Sequence, residues 1–124
     1  DTLNARMSEG LYRTSKERRE DPTLEFLYRS AGPVWYRGMV CTDEKYDPLT
    51  PEQTDALLRR YDADRLLIGH TIFPDISTFH DGRVIAVNVQ NERNRRKNRG
   101  RAVLIEGSRI SVVGNRGVKR VLEE

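Results

Sequence analysis

Residues 65–87 read RLLIGHTIFPDISTFHDGRVIAV, and this stretch decides the fold. Its opening, Arg65–His70, contains the apolar run Leu66–Ile68 and stops at a glycine and a histidine. A continuous apolar run after a helix is typical of a buried strand in a sheet covered on both sides. Ile76–Phe79 and Arg83–Val89 enclose an Asp-Gly pair, which indicates two strands joined by a hairpin turn. The stretch therefore predicts the core of a small mixed sheet.

Downstream, the pattern predicts further strands at Arg101–Glu106 and Arg109–Val113, with a turn at Gly107-Ser108. The tail, Arg116–Glu124, is either a last strand or a frayed end. Residues 91–100 are too hydrophilic to pack, so we expect an exposed mobile loop.

Upstream, the spacing predicts helices. One runs from Thr2 to about Glu20, and a second begins at Pro22 behind the capping residue Asp21 and ends near Gly32. A third runs from Pro51 to about Asp62. Helices first and antiparallel strands last give a mixed α/β (α+β) domain spanning residues 1–124.

Composition limits the possible classes of protein. The 124 residues are 36% hydrophobic and 33% charged, with a mean hydropathy of −0.73. This is lean for a chain that builds its own core, so a partner or a further segment is expected. No apolar run approaches the roughly 20 residues of a membrane span. The single cysteine, Cys41, excludes an internal disulfide.

Two histidines are candidate site residues. His70 follows a strand and a glycine, at the kind of strand end where α/β sheets present their ligands. It is either a ligand or a histidine satisfied by backbone groups in a turn. His80 precedes the hairpin glycine and reads as a solvent-facing turn residue. One histidine cannot hold a catalytic metal, so any metal must draw other ligands from elsewhere.

Arg37 is a second candidate. It lies between Trp35, Tyr36 and Gly38 in an aromatic run, Val34–Gly38, that predicts a short strand or an ordered loop. A guanidinium fixed among aromatic rings offers a bidentate fork to phosphate or carboxylate. The alternative is that Arg37 forms an ion pair with an acidic side chain at the surface. Residues 43–49 are polar and predict a loop.

Six cations lie between Arg93 and Arg101. No aromatic residue is interleaved with them and Glu92 adjoins the run, which argues against nucleic acid and favours a solvated loop.

Several segments together resemble one family. GPVWYRG at 32–38, LIGHT at 67–71, DGRVIAV at 81–87 and GRAVLIEG at 100–107 are similar to the C-terminal half of calcineurin-like metallophosphoesterases, in particular the bacterial branch resembling serine/threonine phosphatases. The resemblance implies part of a four-layer sandwich that binds two metal ions, Mn, Fe or Zn. It also implies that metal-bound hydroxide hydrolyses a phosphoester substrate.

The resemblance assigns roles to particular residues. His70 would be a metal ligand and Arg37 would bind phosphate, while Thr71 would orient His70 and Tyr36 would form a wall of the substrate site. The family's other metal-binding motifs do not occur in the chain, and Asn88 stands where an aspartate is common.

We therefore expect the C-terminal part of a metal-dependent phosphatase, inactive alone, whose metal-binding N-terminal portion is missing. That portion or a second copy of the chain would complete the site. The alternative is a non-catalytic binding module that engages an anionic partner through the loop at 93–101. No targeting signal is visible, so a bacterial cytoplasmic or periplasmic location stays open.

Overall fold

The computed structural model describes residues 2–123, with Lys119 and Glu123 described by their backbone. Glu124, the end of the predicted tail strand, lies outside the described residues. The chain divides into two compact units, Asp1–Leu49 and Thr50–Glu124, which are helical and mainly sheet-forming respectively. The elements in chain order are α1 (Thr2–Leu11), α2 (Ser15–Glu20), α3 (Pro22–Tyr28), a 3-10 turn (Glu44–Tyr46), α4 (Pro51–Arg60), β1 (Leu66–Ile68), β2 (Ser77–Phe79), β3 (Val84–Ala86), α5 (Asn91–Arg96), β4 (Arg101–Glu106), β5 (Arg109–Gly114) and β6 (Gly117–Glu123).

The helix predicted over residues 2–20 is two helices. The chain leaves α1 after Leu11, and Thr14 starts α2 with a reciprocal capping box. The Thr14 hydroxyl accepts a hydrogen bond from the Glu17 amide at 3.3 Å, and the Glu17 carboxylate accepts one from the Thr14 amide at 2.7 Å. Since these bonds satisfy amides that a helix start leaves unpaired, a second start is stable here.

Asp21 ties α1 to α3. Its carboxylate caps α3 by accepting hydrogen bonds from the amides of Thr23 at 3.0 Å and Leu24 at 3.2 Å. It also forms an ion pair with Arg6 of α1. The hydrogen bond from Arg6, followed by that from the Leu24 amide, holds the pKa of Asp21 below its ordinary value. The buried face of α3 consists of Leu24 and Leu27.

The helical unit should lose stability as Asp21 is protonated. Because its folded-state pKa is depressed, the stabilisation is complete above the pKa of an unfolded aspartate and disappears as the pH falls through the native value. Asp21→Asn keeps a cap but removes the charge, so it should flatten the acid limb of the unfolding midpoint measured by circular dichroism. Identical acid limbs in the two proteins would contradict this.

The first sheet has the order β1-β3-β2. β3 is central and buried at every position, with β1 parallel to it (Leu67 opposite Ile85) and β2 antiparallel (Thr78 opposite Ile85). The predicted strand at 65–70 is present over three residues, but the expectation that this strand is buried is wrong. Leu67 is 45% exposed, because β1 lies at the edge of the sheet.

The second sheet has the antiparallel order β4-β5-β6, so the predicted tail strand is present. Both sheets contribute to one core: Ile85 from the first sheet clusters with Ile110 and Val112 of β5, together with Ile76 and Val89.

The mobile loop predicted over residues 91–100 contains the short helix α5. The Arg99 amide returns to the Asn94 carbonyl at 2.6 Å, and the Arg101 amide donates to the Asn91 side chain at 3.1 Å. These hydrogen bonds define a local structure that needs no apolar face, which is why hydropathy alone missed it.

The mixed α+β class is confirmed, but the four-layer metallophosphoesterase sandwich is not supported, since the described strands form two three-stranded sheets. Within residues 2–123, no helix is long and apolar enough to cross a bilayer.

Core burial should determine the stability of the sheet unit. Ile85→Ala removes a side chain that is 1% exposed and should lower the free energy of unfolding by about 3 kcal/mol. Leu67→Ala, directly across the parallel pair, removes as many carbons from a half-exposed position and should cost less than about 1 kcal/mol. Denaturant unfolding measures both, and equal losses would contradict the assigned core.

Candidate functional site

The predicted segment Val34–Gly38 forms turns, the loop alternative of the sequence analysis. It starts at Gly32, whose amide donates to the Arg29 carbonyl at 2.9 Å at the end of α3. A Cβ on Gly32 would lie 2.1 Å from the Phe26 carbonyl oxygen, so only glycine allows this approach. The loop therefore leaves α3 along a path set by backbone packing.

Arg37 is half-buried in this loop. Its guanidinium carbon lies 5.6 Å from the ring centroid of Trp35 and 5.6 Å from that of Tyr46. Two aromatic faces hold the cation electrostatically, each contributing about 0.5–1 kcal/mol at a partly exposed site. The Arg37 carbonyl accepts hydrogen bonds from the amides of Val40 at 3.0 Å and Cys41 at 2.9 Å, which also fixes the backbone.

The second ring comes from the polar segment 43–49. Asp43 caps its 3-10 turn by accepting from the Lys45 amide at 3.2 Å, and Tyr46 lies within that turn. Lys45 also lies over the Tyr46 ring, 5.0 Å from the centroid. Sequence reasoning missed Tyr46, although a cap residue followed by a tyrosine was a visible signal of an ordered turn.

Tyr36 and Gly38 join the two halves of the loop. The Tyr36 hydroxyl donates to the Asp47 carbonyl at 3.0 Å, and the Leu49 amide donates to the Gly38 carbonyl at 3.0 Å. Burial, and next the nearby charge of Asp47, raise the pKa of Tyr36, so its hydroxyl stays protonated and remains a donor. Its role as a substrate wall stays a prediction.

His70 lies at the carboxyl end of β1, in the other unit. It is exposed and has a φ of 69°, and the Thr71 amide donates to the Gly69 carbonyl at 2.9 Å in a tight turn. The parallel pairing of β1 with β3 brings Asn88 to the same edge, where its carbonyl accepts from the Phe73 amide at 3.0 Å. His70 and Thr71 thus share a turn at an open sheet edge.

His80 lies in the β2–β3 turn, as predicted, with a φ of 50°. Its carbonyl accepts hydrogen bonds from the Arg83 amide at 3.1 Å and from the Arg83 guanidinium at 3.2 Å. These hydrogen bonds hold the backbone of His80 in the turn.

Within residues 2–123, no group of three or more histidine, cysteine, aspartate or glutamate side chains could hold a metal ion.

The sequence matches no family model and no curated protein. The fold, however, is similar to solved structures of a cold-active protein tyrosine phosphatase. One, from a psychrophilic Shewanella species, is 23% identical with a TM-score of 0.63, and the match covers 98% of this chain and 34% of that one. Another structure described as a cold-active protein tyrosine phosphatase is 22% identical with the same TM-score. The chain thus spans about a third of the length of these proteins.

This comparison requires a correction. The sequence resemblance pointed to a calcineurin-like metallophosphoesterase, whereas the structures that share the fold are described as protein tyrosine phosphatases. The predicted metal-dependent hydrolysis and the pair of Mn, Fe or Zn ions are contradicted with it, and His70 has no second and third ligand beside it in the described chain. Short motifs around a glycine reflect local turn geometry, which proteins of different classes share.

Gly38→Ala should disrupt the Arg37 loop. A Cβ there would lie 2.4 Å from the Tyr36 hydroxyl and 2.6 Å from the Asp47 carbonyl oxygen, so the loop must open. Trp35 is the sole tryptophan of the sequence, and its emission should shift towards that of a solvated indole. Gly69→Ala is the matched control, because nothing lies within 4 Å of a Cβ there. An unchanged spectrum in Gly38→Ala would refute the packing described.

Proposed function

We propose that this chain is part of a phosphatase that hydrolyses the phosphate ester of tyrosine side chains in proteins, and that Arg37 binds the phosphate group. The observation that carries the proposal is the guanidinium held between the rings of Trp35 and Tyr46. The descriptions of the structural neighbours supply the substrate class.

The physical argument concerns preorganisation. A phosphate monoester presents two or three anionic oxygens, and a planar guanidinium donates two parallel hydrogen bonds to them. An arginine on a mobile side chain loses rotamer entropy when it binds, whereas two flanking rings already restrict Arg37. Such a fork also stabilises the charge that develops as the phosphoryl group is transferred.

The aromatic rings have a second use in this proposal. Trp35 is 47% exposed beside Arg37, so its ring offers an apolar surface next to the cation. A phosphotyrosine combines a dianion with an aromatic ring, and stacked aromatic pairs add about 0.5–1.5 kcal/mol. A cation flanked by an exposed ring suits this ligand better than an aliphatic phosphate.

The proposal divides the chemistry between this chain and the rest of a longer phosphatase. Since the chain spans about a third of its structural neighbours, we assign it phosphate binding and leave the attacking group elsewhere. His70 lies at an exposed strand end, outside the Arg37 loop. No role that involves a metal is retained for His70.

Phosphate binding by the purified chain tests the proposal. Titration with phenyl phosphate at low ionic strength, followed through Trp35 emission, should show saturable binding. Arg37→Lys keeps the charge but loses the bidentate fork, so the affinity should fall about tenfold. Arg29→Lys is the matched control, since Arg29 also lies over a ring, 5.3 Å from the centroid of Phe26.

Equal affinities in Arg37→Lys and the unchanged chain would refute the assignment of phosphate binding to Arg37. A comparison of phenyl phosphate with inorganic phosphate tests the aromatic part of the argument. Phenyl phosphate should bind about threefold more tightly or better, and the difference should shrink in Trp35→Ala.

A further inference from the structure

A basic cleft lies along one edge of the sheet unit. One wall is the segment Ile72–Asp75, and the other carries the cations Arg93, Lys97, Arg99 and Arg101, around a volume of about 560 Å³. We propose that this basic cleft binds an acidic segment of polypeptide, and that the segment belongs to the protein substrate. The identity of the segment as substrate rests on the proposed function, but the binding does not.

The charge in the cleft is uncompensated. Asp75 is the one carboxylate among the described residues that line it, and it already binds Arg101, with Nε 3.2 Å from Oδ1. In the described part of the chain, Arg93, Lys97 and Arg99 form no ion pair with any acidic side chain. Arg96 of the same helix is paired with Glu92 at 2.8 Å, and it lies outside the lining. Three cations therefore remain to attract an anion.

The local structure makes these cations converge. Arg93 and Lys97 are four residues apart across α5 and its C-terminal cap, which places them on one side of the helix. The chain then reverses through Asn98, which has a φ of 54°, and the Arg99 amide returns to the Asn94 carbonyl. Arg101 enters from the start of β4, where Asp75 orients its guanidinium. An extended mobile loop would not bring these cations together.

The apolar wall favours polypeptide over nucleic acid. Base recognition by a basic groove relies on aromatic faces on which bases stack. Phe73 is the one aromatic residue of the lining, and its ring packs on Phe79 with centroids 5.3 Å apart. Ile72, 56% exposed, and the exposed Pro74 leave aliphatic surface instead. A chain of acidic side chains with interspersed apolar residues matches both walls.

Fluorescence anisotropy with a labelled, glutamate-rich peptide around a single tyrosine tests the proposal on the 124-residue chain. The combined variant Arg93→Gln, Lys97→Gln and Arg99→Gln should weaken binding of the unphosphorylated peptide about tenfold and flatten its dependence on salt. The control variant Arg60→Gln, Arg95→Gln and Arg116→Gln changes the net charge equally at exposed positions outside the cleft. It should weaken binding less than about twofold.

Equal losses in the two triple variants would overturn the cleft as the binding site. Tighter binding of an oligothymidylate of the same charge than of the peptide would overturn the assignment to polypeptide. The phosphotyrosine form of the peptide separates the two proposals. If the proposed function is wrong, Arg37→Lys should change the affinities for the phosphorylated and unphosphorylated peptides equally. If the cleft is not the binding site, Arg37→Lys should still weaken binding of the phosphorylated peptide, whereas the triple variant at Arg93, Lys97 and Arg99 should show no loss of its own.

Discussion

The complete burial of β3 is the constraint on which the sheet unit depends. Val84, Ile85 and Ala86 are each at most 1% exposed, with a strand on either side and β5 residues in the same core cluster. A strand enclosed in this way has little freedom of register, since a shift by one residue would exchange the side chains that pack on its two buried faces. The parallel register with β1 then fixes which residues meet at the carboxyl edge. This pairing places His70, Thr71 and the start of the basic cleft at the same edge.

The two candidate ligand sites hold their cations by different means. The rings of Trp35 and Tyr46 restrain Arg37, and the neighbouring Gly38 has no space for a Cβ. The cations of the basic cleft are positioned by the reversal of the backbone after α5 and, for Arg101, by its ion pair with Asp75. The first arrangement favours a small anion attached to an aromatic ring, and the second favours an extended acidic chain. Both ligands would occur together in an acidic phosphoprotein segment, although each site is testable without the other.

The short motifs behind the family resemblance predicted local structure but not the class of protein. Of the two structures that the sequence allowed for residues 34–38, a short strand or an ordered loop, the chain forms the loop, and residues 67–71 contain the predicted strand end. They did not specify the protein class, because a few residues around a glycine reflect local backbone geometry that different folds share. The likeness to protein tyrosine phosphatases rests on the arrangement of elements across 98% of the chain, at an identity of about a fifth. At that identity the shared property is the fold.

The sequence by itself determined the helices that begin behind Asp21 and Thr50 and the strands with strong apolar patterns, and it indicated Arg37 as a candidate, whereas the capping box at Thr14 was missed. Thr50, Asp21 and the hairpin at Asp81-Gly82 act within a few residues, so local chemistry specifies them. Only the tertiary structure decided that Tyr46 closes over Arg37 and that Leu67 is exposed at a sheet edge. It also decided that the cations after Arg93 face a wall made by residues 72–75. These are contacts between distant segments, and no periodicity in a single stretch of sequence records them.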